Sequence, residues 1–272
     1  MRLCLPTYRL ALIALCLMST LALTAPDAGA QTVQELQTRC DKGDTSACYN
    51  SGILYWAGKS VRKDRGKAAE LFKKACDGDE SRACTDLAFM HMEGDGTRKD
   101  MSMAVTLFTK SCDGGDARGC GILAILNEDG VGTPKNKKRA AELYTKACGG
   151  GHPRGCNNLA IMYSRGEGVM QDKYRAVELF KKSCDGGDAL GCSNLGQAYD
   201  YGENVRQDKF MANDLYTKAC AGDIAISCFN LGVSYERGEG MRQSVDRAKV
   251  YYGKACDLRL EEGCKAYARL NR

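Results

Sequence analysis

The stretch KKSCDGGDALGC, residues Lys181–Cys192, places two cysteines eight positions apart around an Asp-Gly-Gly-Asp turn. The same phrase stands 36 residues earlier as TKACGGGHPRGC, and 36 residues before that as TKSCDGGDARGC. A period of 36 is typical of helical repeat proteins, in which each unit packs mainly on its neighbours. The phrase therefore predicts an all-α solenoid rather than a single globular core.

Each repeat contains two amphipathic segments, and the unit Cys156–Gly191 shows both. Leu159 and Tyr163 share one face of the first segment, and Ala176 and Phe180 share one face of the second. A glycine-rich loop separates the segments, and an aspartate is placed to cap the second one. We therefore predict six complete antiparallel helix pairs. A half-repeat over residues 31–40 precedes them, and a closing helix from Glu262 to Leu270 follows.

Three positions are nearly invariant among the repeats of this chain. A glycine ends each first helix, where a positive φ is required: Gly58, Gly94, Gly130, Gly166, Gly202 and Gly238. An alanine occupies each second helix, where two helices approach closely: Ala68, Ala104, Ala140, Ala176, Ala212 and Ala248. A lysine lies in the last turn of each second helix, where we expect it to be solvated and to complement the helix dipole: Lys74, Lys110, Lys146, Lys182, Lys218 and Lys254.

Cysteine is unusually abundant and regularly spaced. Fourteen of the sixteen cysteines form seven C-x7-C pairs: Cys40, Cys48, Cys76, Cys84, Cys112, Cys120, Cys148, Cys156, Cys184, Cys192, Cys220, Cys228, Cys256 and Cys264. The sequence contains no CxxC or Cys/His finger spacing, which disfavours zinc ribbons, haem attachment and thioredoxin-type chemistry. Since the pairs recur with the repeat, we predict that each C-x7-C closes on itself as a disulfide.

The first thirty residues have the pattern of a secretory signal peptide. Arg2 and Arg9 flank the start of an apolar segment, Leu10–Leu23, and a small-x-small motif ends at Ala30. We expect cleavage after Ala30, a single solenoid over 31–272 with no membrane span, and a periplasmic or secreted location. The formal charge of +5 is dispersed, which disfavours nucleic acid as a partner.

The repeat resembles a known family, the Sel-one-like repeats, which are related to tetratricopeptide repeats. The resemblance lies in A-x-x-Y-x-x-G-x-G-V before the loop and D-x-x-x-A-x-x-L-F/Y-x-K-A/S-C after it. The added C-x7-C behind a signal peptide is similar to the secreted cysteine-rich Helicobacter-type (Hcp) proteins. Over residues 31–272 the resemblance implies a right-handed α/α superhelix with a concave groove. It also implies two functions, protein-interaction scaffold and penicillin binding with weak β-lactamase activity.

The residues themselves do not favour an enzyme. One S-x-x-K motif is present, Ser60 to Lys63, but the S-x-N and K-[ST]-G partners of serine β-lactamases are absent from the sequence. Ser60 also occupies a loop position held elsewhere mostly by glycine. His91 and His152 are the only histidines, so we expect neither a metal site nor a cofactor. The β-lactamase alternative, with a β-lactam or cell-wall-related ligand, thus depends on the resemblance alone.

A binding surface has better support from the pattern. The position two after the second cysteine carries an amide or Asp in five repeats and Ile122 in one: Asn50, Asp86, Asn158, Asn194 and Asn230. An amide offers a donor and an acceptor to the backbone of an extended peptide. In the alternative, these side chains bond to neighbouring helices and stabilise the stack. We predict a monomeric scaffold that binds a protein or peptide through Asn158, Asn194, Asn230, Tyr163 and Tyr199.

Overall fold

The computed structural model describes residues 33–272, so the expected signal peptide and its cleavage after Ala30 lie outside the described residues. This part of the chain forms fourteen α-helices and no strand. The helices are α1 Val33–Asp41, α2 Thr45–Ala57, α3 Arg65–Asp77, α4 Ser81–Glu93, α5 Met101–Asp113, α6 Ala117–Asp129, α7 Lys137–Gly149, α8 Pro153–Arg165, α9 Lys173–Asp185, α10 Ala189–Tyr201, α11 Lys209–Ala221, α12 Ala225–Arg237, α13 Val245–Asp257 and α14 Glu261–Leu270.

The helices follow the predicted order, with α1 as the leading half-repeat and α14 as the closing helix. Helices α2 to α13 are the six first and six second helices, and each has thirteen residues. The closing helix begins at Glu261, one residue before its predicted start. The all-α repeat class is therefore confirmed.

The described chain divides into two compact units, residues 33–136 and 137–272. In the first unit, α2 packs on α3 and α4 packs on α5 as helix pairs. In the second unit the same pairing joins α8 with α9, α10 with α11 and α12 with α13. Whether residues 31–272 form one continuous solenoid stays a prediction.

Capping residues fix where the helices begin and end. Asp64, Asp100, Asp172 and Asp208 each accept a hydrogen bond from the backbone N–H three residues on, at the start of a second helix. The six glycines predicted at the ends of the first helices have φ between 70° and 77°. The glycine column is therefore confirmed, and it explains why all first helices stop at the same point.

Two columns of second-helix residues form a regular part of the core, which the first helices complete. The predicted alanine column is at most 2 % exposed, which confirms the close approach of helices there. Four positions after each alanine lies an aromatic residue, and we call these six residues the aromatic column. Five are fully buried: Phe72, Phe108, Tyr144, Tyr216 and Tyr252. Phe180 in α9 is the exception, because its side chain is only half-buried.

All seven predicted cysteine pairs are disulfides, with Cα–Cα distances between 4.4 and 4.8 Å. Each bridge joins the end of one helix to the beginning of the next, across a turn between repeats. The pairing predicted from the repeat is thus confirmed. Each bridge covalently fixes the angle between a second helix and the following first helix.

The lysine column is exposed in five of its six members, as expected, and two members also bond to backbone carbonyls. Lys110 Nζ donates to the carbonyl of Cys76 at 2.7 Å, and Lys254 Nζ donates to that of Cys220 at 2.8 Å. These cations therefore satisfy carbonyls at the end of the preceding second helix, besides lying near their own helix terminus. Within the described residues, no helix combines the length and the apolar character that crossing a membrane requires.

Candidate binding surface on the first helices

The predicted binding residues lie on the first helices of the second unit. Asn158, Asn194 and Asn230 occupy the second turns of α8, α10 and α12, and all three are half-buried. Asn194 Nδ2 donates to Asn157 Oδ1 at 2.8 Å, and Asn157 Nδ2 donates to Asn158 Oδ1 at 3.3 Å. The structure thus links the amides of α8 and α10 into one chain of hydrogen bonds. Part of the hydrogen-bonding capacity of these amides therefore stabilises the packing of neighbouring repeats.

The predicted tyrosines are partly buried by packing. The guanidinium of Arg175 lies 4.6 Å from the ring centroid of Tyr163, a cation–π contact. Tyr199 is half-buried and packs against the apolar core of the last repeats. The described residues give its hydroxyl no hydrogen bond, so this group remains available to a partner. Peptide binding by these residues stays a prediction.

A cleft lies next to the amide chain, between α8, α9 and α10. It has a volume of about 310 Å³ and an irregular polar and apolar lining. Asn194 and Gln197 of α10 line it, and Val177 and Phe180 of α9 lie opposite. Among the predicted residues, the structure places only Asn194 in this cleft. The sequence did not lead us to predict Val177 and Phe180 of α9 as lining residues.

A second pattern, also missed, couples the two helices of a pair. Tyr216 Oη donates to Asp200 Oδ2 at 3.2 Å, and Tyr252 Oη donates to Glu236 Oε2 at 2.7 Å. In the sequence, Tyr144 likewise follows Glu128 by sixteen positions, whereas each Phe of the aromatic column follows a residue without a carboxyl group: Trp56, Met92 and Ser164. This correlation within the chain was the signal that could have found the buried pairs.

These pairs perturb the groups that form them. Burial and the carboxylate of Asp200 raise the pKa of the Tyr216 hydroxyl, and burial and Glu236 do the same to the pKa of Tyr252. A hydrogen bond from Arg269 holds the pKa of Glu236 below its usual value. The tyrosines therefore stay neutral donors, and Glu236 stays a charged acceptor.

In the first unit, Asp86 stands at the position equivalent to the asparagines, and its carboxylate is already bound by neighbouring side chains. Asp86 accepts from Tyr49 Oη at 2.9 Å and lies 3.5 Å from Arg118 Nη1. The other terminal nitrogen, Arg118 Nη2, pairs with Asp116 at 3.2 Å. Burial raises the pKa of Asp86, while Arg118 and the Tyr49 hydroxyl oppose that effect. Because Asp86 is engaged on two sides, this position serves the packing of α2, α4 and α6.

The residues considered for catalysis or metal binding, Ser60, His91 and His152, belong to different helices and loops. Ser60 is exposed at φ 63°, as its place in the glycine-rich loop predicts. His91 is half-buried with an unpartnered Nδ1, and His152 stands at the N-cap of α8 without a capping bond from its side chain. No group of three metal-ligating side chains occurs within residues 33–272.

Comparison with known proteins places the repeats in one family. The Sel1 repeat model matches six consecutive segments: 45–80, 81–116, 118–152, 153–188, 189–223 and 225–260. No curated protein matches the sequence.

Solved structures share the fold. A Sel1 repeat protein from Oxalobacter formigenes is 24% identical with a TM-score of 0.75, covering 83% of this chain and 99% of that one. A protective antigen of uropathogenic Escherichia coli is 22% identical with a TM-score of 0.79 over 86% of this chain, which spans only 50% of the antigen. Cysteine-rich protein B of Helicobacter pylori is 29% identical over 51% of this chain and 99% of its own, with a TM-score of 0.41.

Proposed function

Because this chain belongs to the Sel1 repeat family, whose members are typically scaffolds for protein–protein interaction, we propose that it is an exported scaffold for a protein or peptide. The binding surface in this proposal is the row of first helices α8, α10 and α12. It carries the half-buried amides and tyrosines named above, on a framework held rigid by disulfides. In this proposal the protein acts as a monomer.

The disulfides support the exported part of the proposal. Seven bridges require an oxidising compartment, which means outside the cytoplasm. A leader over residues 1–30 with cleavage after Ala30 would deliver the chain there. Mass spectrometry of the protein recovered from its native host tests this point, since a mature N-terminus at Gln31 is expected.

One observation carries the binding part of the proposal. Asn194 donates its amide N–H to Asn157, but its carbonyl oxygen makes no hydrogen bond within the described residues. Gln197, one helical turn on, lines the same cleft. A half-buried acceptor and a neighbouring amide held on one rigid helix match the alternating donors and acceptors of an extended peptide backbone.

Site-specific photo-crosslinking tests the surface. A photoreactive phenylalanine analogue replaces Tyr199 in one variant and the exposed Glu142 of α7 in the control. We expect a defined adduct from position 199 alone, and we expect the triple change N158A, N194A and N230A to abolish it. Lost thermal stability with an unchanged adduct would instead assign the amides to the architecture alone.

The β-lactamase alternative has no supporting observation in the part of the chain that the structure describes. Ser60 lies in a loop with left-handed backbone geometry, and not on a helix that would bring Lys63 back to its hydroxyl. We expect the oxidised protein and its S60A variant to hydrolyse penicillin no faster than background. Turnover lost only in the variant would contradict this interpretation and assign Ser60 as the nucleophile.

A further inference from the structure

The loop after each first helix usually rests directly on the preceding second helix. At Gly96 a Cβ atom would lie 2.5 Å from the carbonyl group of Arg65, and at Gly240 it would lie 2.5 Å from the carbonyl carbon of Lys209. Gly168 meets the backbone of Lys137 in the same way. These loop positions have no room for a side chain, and their φ values of 66° to 75° also favour glycine.

The close approach brings two charges together. The first residue of the second helix pairs with the acid that immediately precedes the loop glycine of the next repeat. Arg65 pairs with Asp95, Lys137 with Glu167 at 2.9 Å, and Lys209 with Glu239 at 3.1 Å. The loop and the helix are thus joined by an ion pair wherever the loop carries glycine and both charges are present.

Within the described residues, the repeat that contains Asn204 lacks the ion pair between the loop and the start of the second helix. Asn204 stands in the loop position of Gly96, Gly168 and Gly240 at φ 58°, which asparagine tolerates, but it carries a Cβ atom that those three residues lack. The equivalent charges, Lys173 and Glu203, form no ion pair within the described residues, and both line the cleft between α8, α9 and α10. Phe180, also in the lining, is the half-buried member of the aromatic column.

Position 204 is the place where the equivalent loops contact the preceding second helix. The Cβ atom of Asn204 stands where Gly96, Gly168 and Gly240 let their loops approach backbone, and in this repeat the Lys173–Glu203 pair is open within the described residues. Within α9 only Ala176 and Ser183 are fully buried, whereas α11 buries six residues. The cleft lies between the open pair and the half-buried side chain of Phe180.

We propose that this cleft binds a peptide segment carrying an acidic side chain next to an apolar one. Lys173 and Arg165, which both line the cleft, provide unpaired cations for the ligand carboxylate. Val177 and Phe180 provide the apolar wall. Glu203 and the free carbonyl of Asn194 accept from the ligand's backbone N–H groups. Such a ligand gives Lys173, Glu203 and the carbonyl of Asn194 a partner.

This proposal deepens the proposed function and rests on it, and the experiment separates the two. The ¹⁵N-labelled oxidised protein is titrated with the capped tetrapeptides Gly-Asp-Leu-Gly and Gly-Asn-Leu-Gly. We expect the acidic peptide to shift backbone resonances of α9 and α10 around Phe180 and Gln197. We expect the amide peptide to bind about tenfold more weakly, because it lacks the charge-assisted bond.

Two variants and a matched control locate the site. K173A is expected to weaken the acidic peptide about tenfold, and N204G is expected to abolish its binding because the loop can then seat on α9. The control K137A changes the equivalent residue one repeat earlier, where the ion pair is closed, and should leave binding unchanged.

Three results would overturn the proposal: no shifts with either peptide, equal affinity for both, or binding that N204G leaves intact. If the peptides bind along Asn158 and Asn230 without dependence on Lys173, the cleft is excluded and the scaffold function stands. If neither peptide shifts any backbone resonance and no adduct forms at position 199, both the cleft proposal and the scaffold function are excluded.

Discussion

Buried tyrosine hydroxyls bonded to carboxylates fasten the two helices of a pair in the last repeats. Tyr216 donates to Asp200, which is itself held by Lys209 Nζ at 2.6 Å. Asn230 of α12 lies near the same hydroxyl and lowers its pKa, against the raising effects of burial and Asp200. Because buried polar groups are costly unless they are satisfied, the tyrosine and its acid must occur together in a repeat.

Removing this hydroxyl should therefore destabilise the protein. We expect Tyr216→Phe to lower the free energy of unfolding by about 1–2 kcal/mol, since Asp200 loses a partly buried hydrogen-bond donor. Tyr199→Phe is the matched control: its hydroxyl makes no hydrogen bond within the described residues, and the change should be neutral. Urea denaturation of both variants measures the difference, and equal effects would show that the bond contributes nothing.

The buried charges around Asp86 predict a pH dependence. Burial raises the pKa of Asp86 above its ordinary value of 3.8, and Arg118 is the strongest group opposing that rise. In Arg118→Met the pKa of Asp86 should rise further, so the folded state binds a proton that the unfolded state releases. The variant's loss of stability should thus be small below pH 3.8 and grow as pH rises through the raised pKa, reaching about 3 kcal/mol at neutral pH.

A difference measurement isolates this effect. At each pH, the free energy of unfolding of Arg118→Met is subtracted from that of the unchanged protein, which cancels the acid titration of other carboxyl groups. Adding Asp86→Asn should make the difference nearly independent of pH, while Asp116 keeps its bond from Thr85 Oγ1 at 2.8 Å. A difference that shrinks as pH rises would contradict the assignment to Asp86.

At the scale of helices and loops, the repeat made the architecture predictable. Helix order, the capping aspartates, the terminal glycines and the buried alanines all follow from columns that recur in one chain. The consequence of Asn204 did not follow. Its place at the loop position of Gly96, Gly168 and Gly240 is visible in the sequence, but the start of the second helix that this position faces comes from another repeat. That neighbour is known only from the structure, as are the carbonyl acceptors of Lys110 and Lys254.

The same loop geometry predicts what a new side chain would do elsewhere. We expect Gly240→Asn to lower the free energy of unfolding by about 1–3 kcal/mol, because its Cβ cannot fit against the backbone of Lys209. Gly115→Asn is the control, since that glycine also has a positive φ of 89° but nothing within 4 Å of a Cβ. Thermal melts compare the two, and equal losses would assign the cost to φ alone.

At the scale of the molecule, the disulfides decide whether the repeats stay folded. In the chain-entropy model, closing a loop of about nine residues contributes roughly 2.5 kcal/mol, and seven bridges contribute roughly 18 kcal/mol as an upper bound. That sum is comparable to the whole stability of a typical domain. The apolar columns alone consist largely of alanine and one aromatic residue per pair, so each repeat buries little surface by itself.

Reduction should consequently unfold the protein. We expect the reduced and alkylated chain to lose its cooperative thermal transition and most of its helical circular dichroism, because no bridge then limits the unfolded state. Replacing only Cys112 and Cys120 by serine should cost about 2.5 kcal/mol, with faster amide exchange confined to α5, α6 and their immediate neighbours. A reduced chain that melts as the oxidised one does would show that helix packing suffices. The regular cysteines would then serve some purpose other than stability.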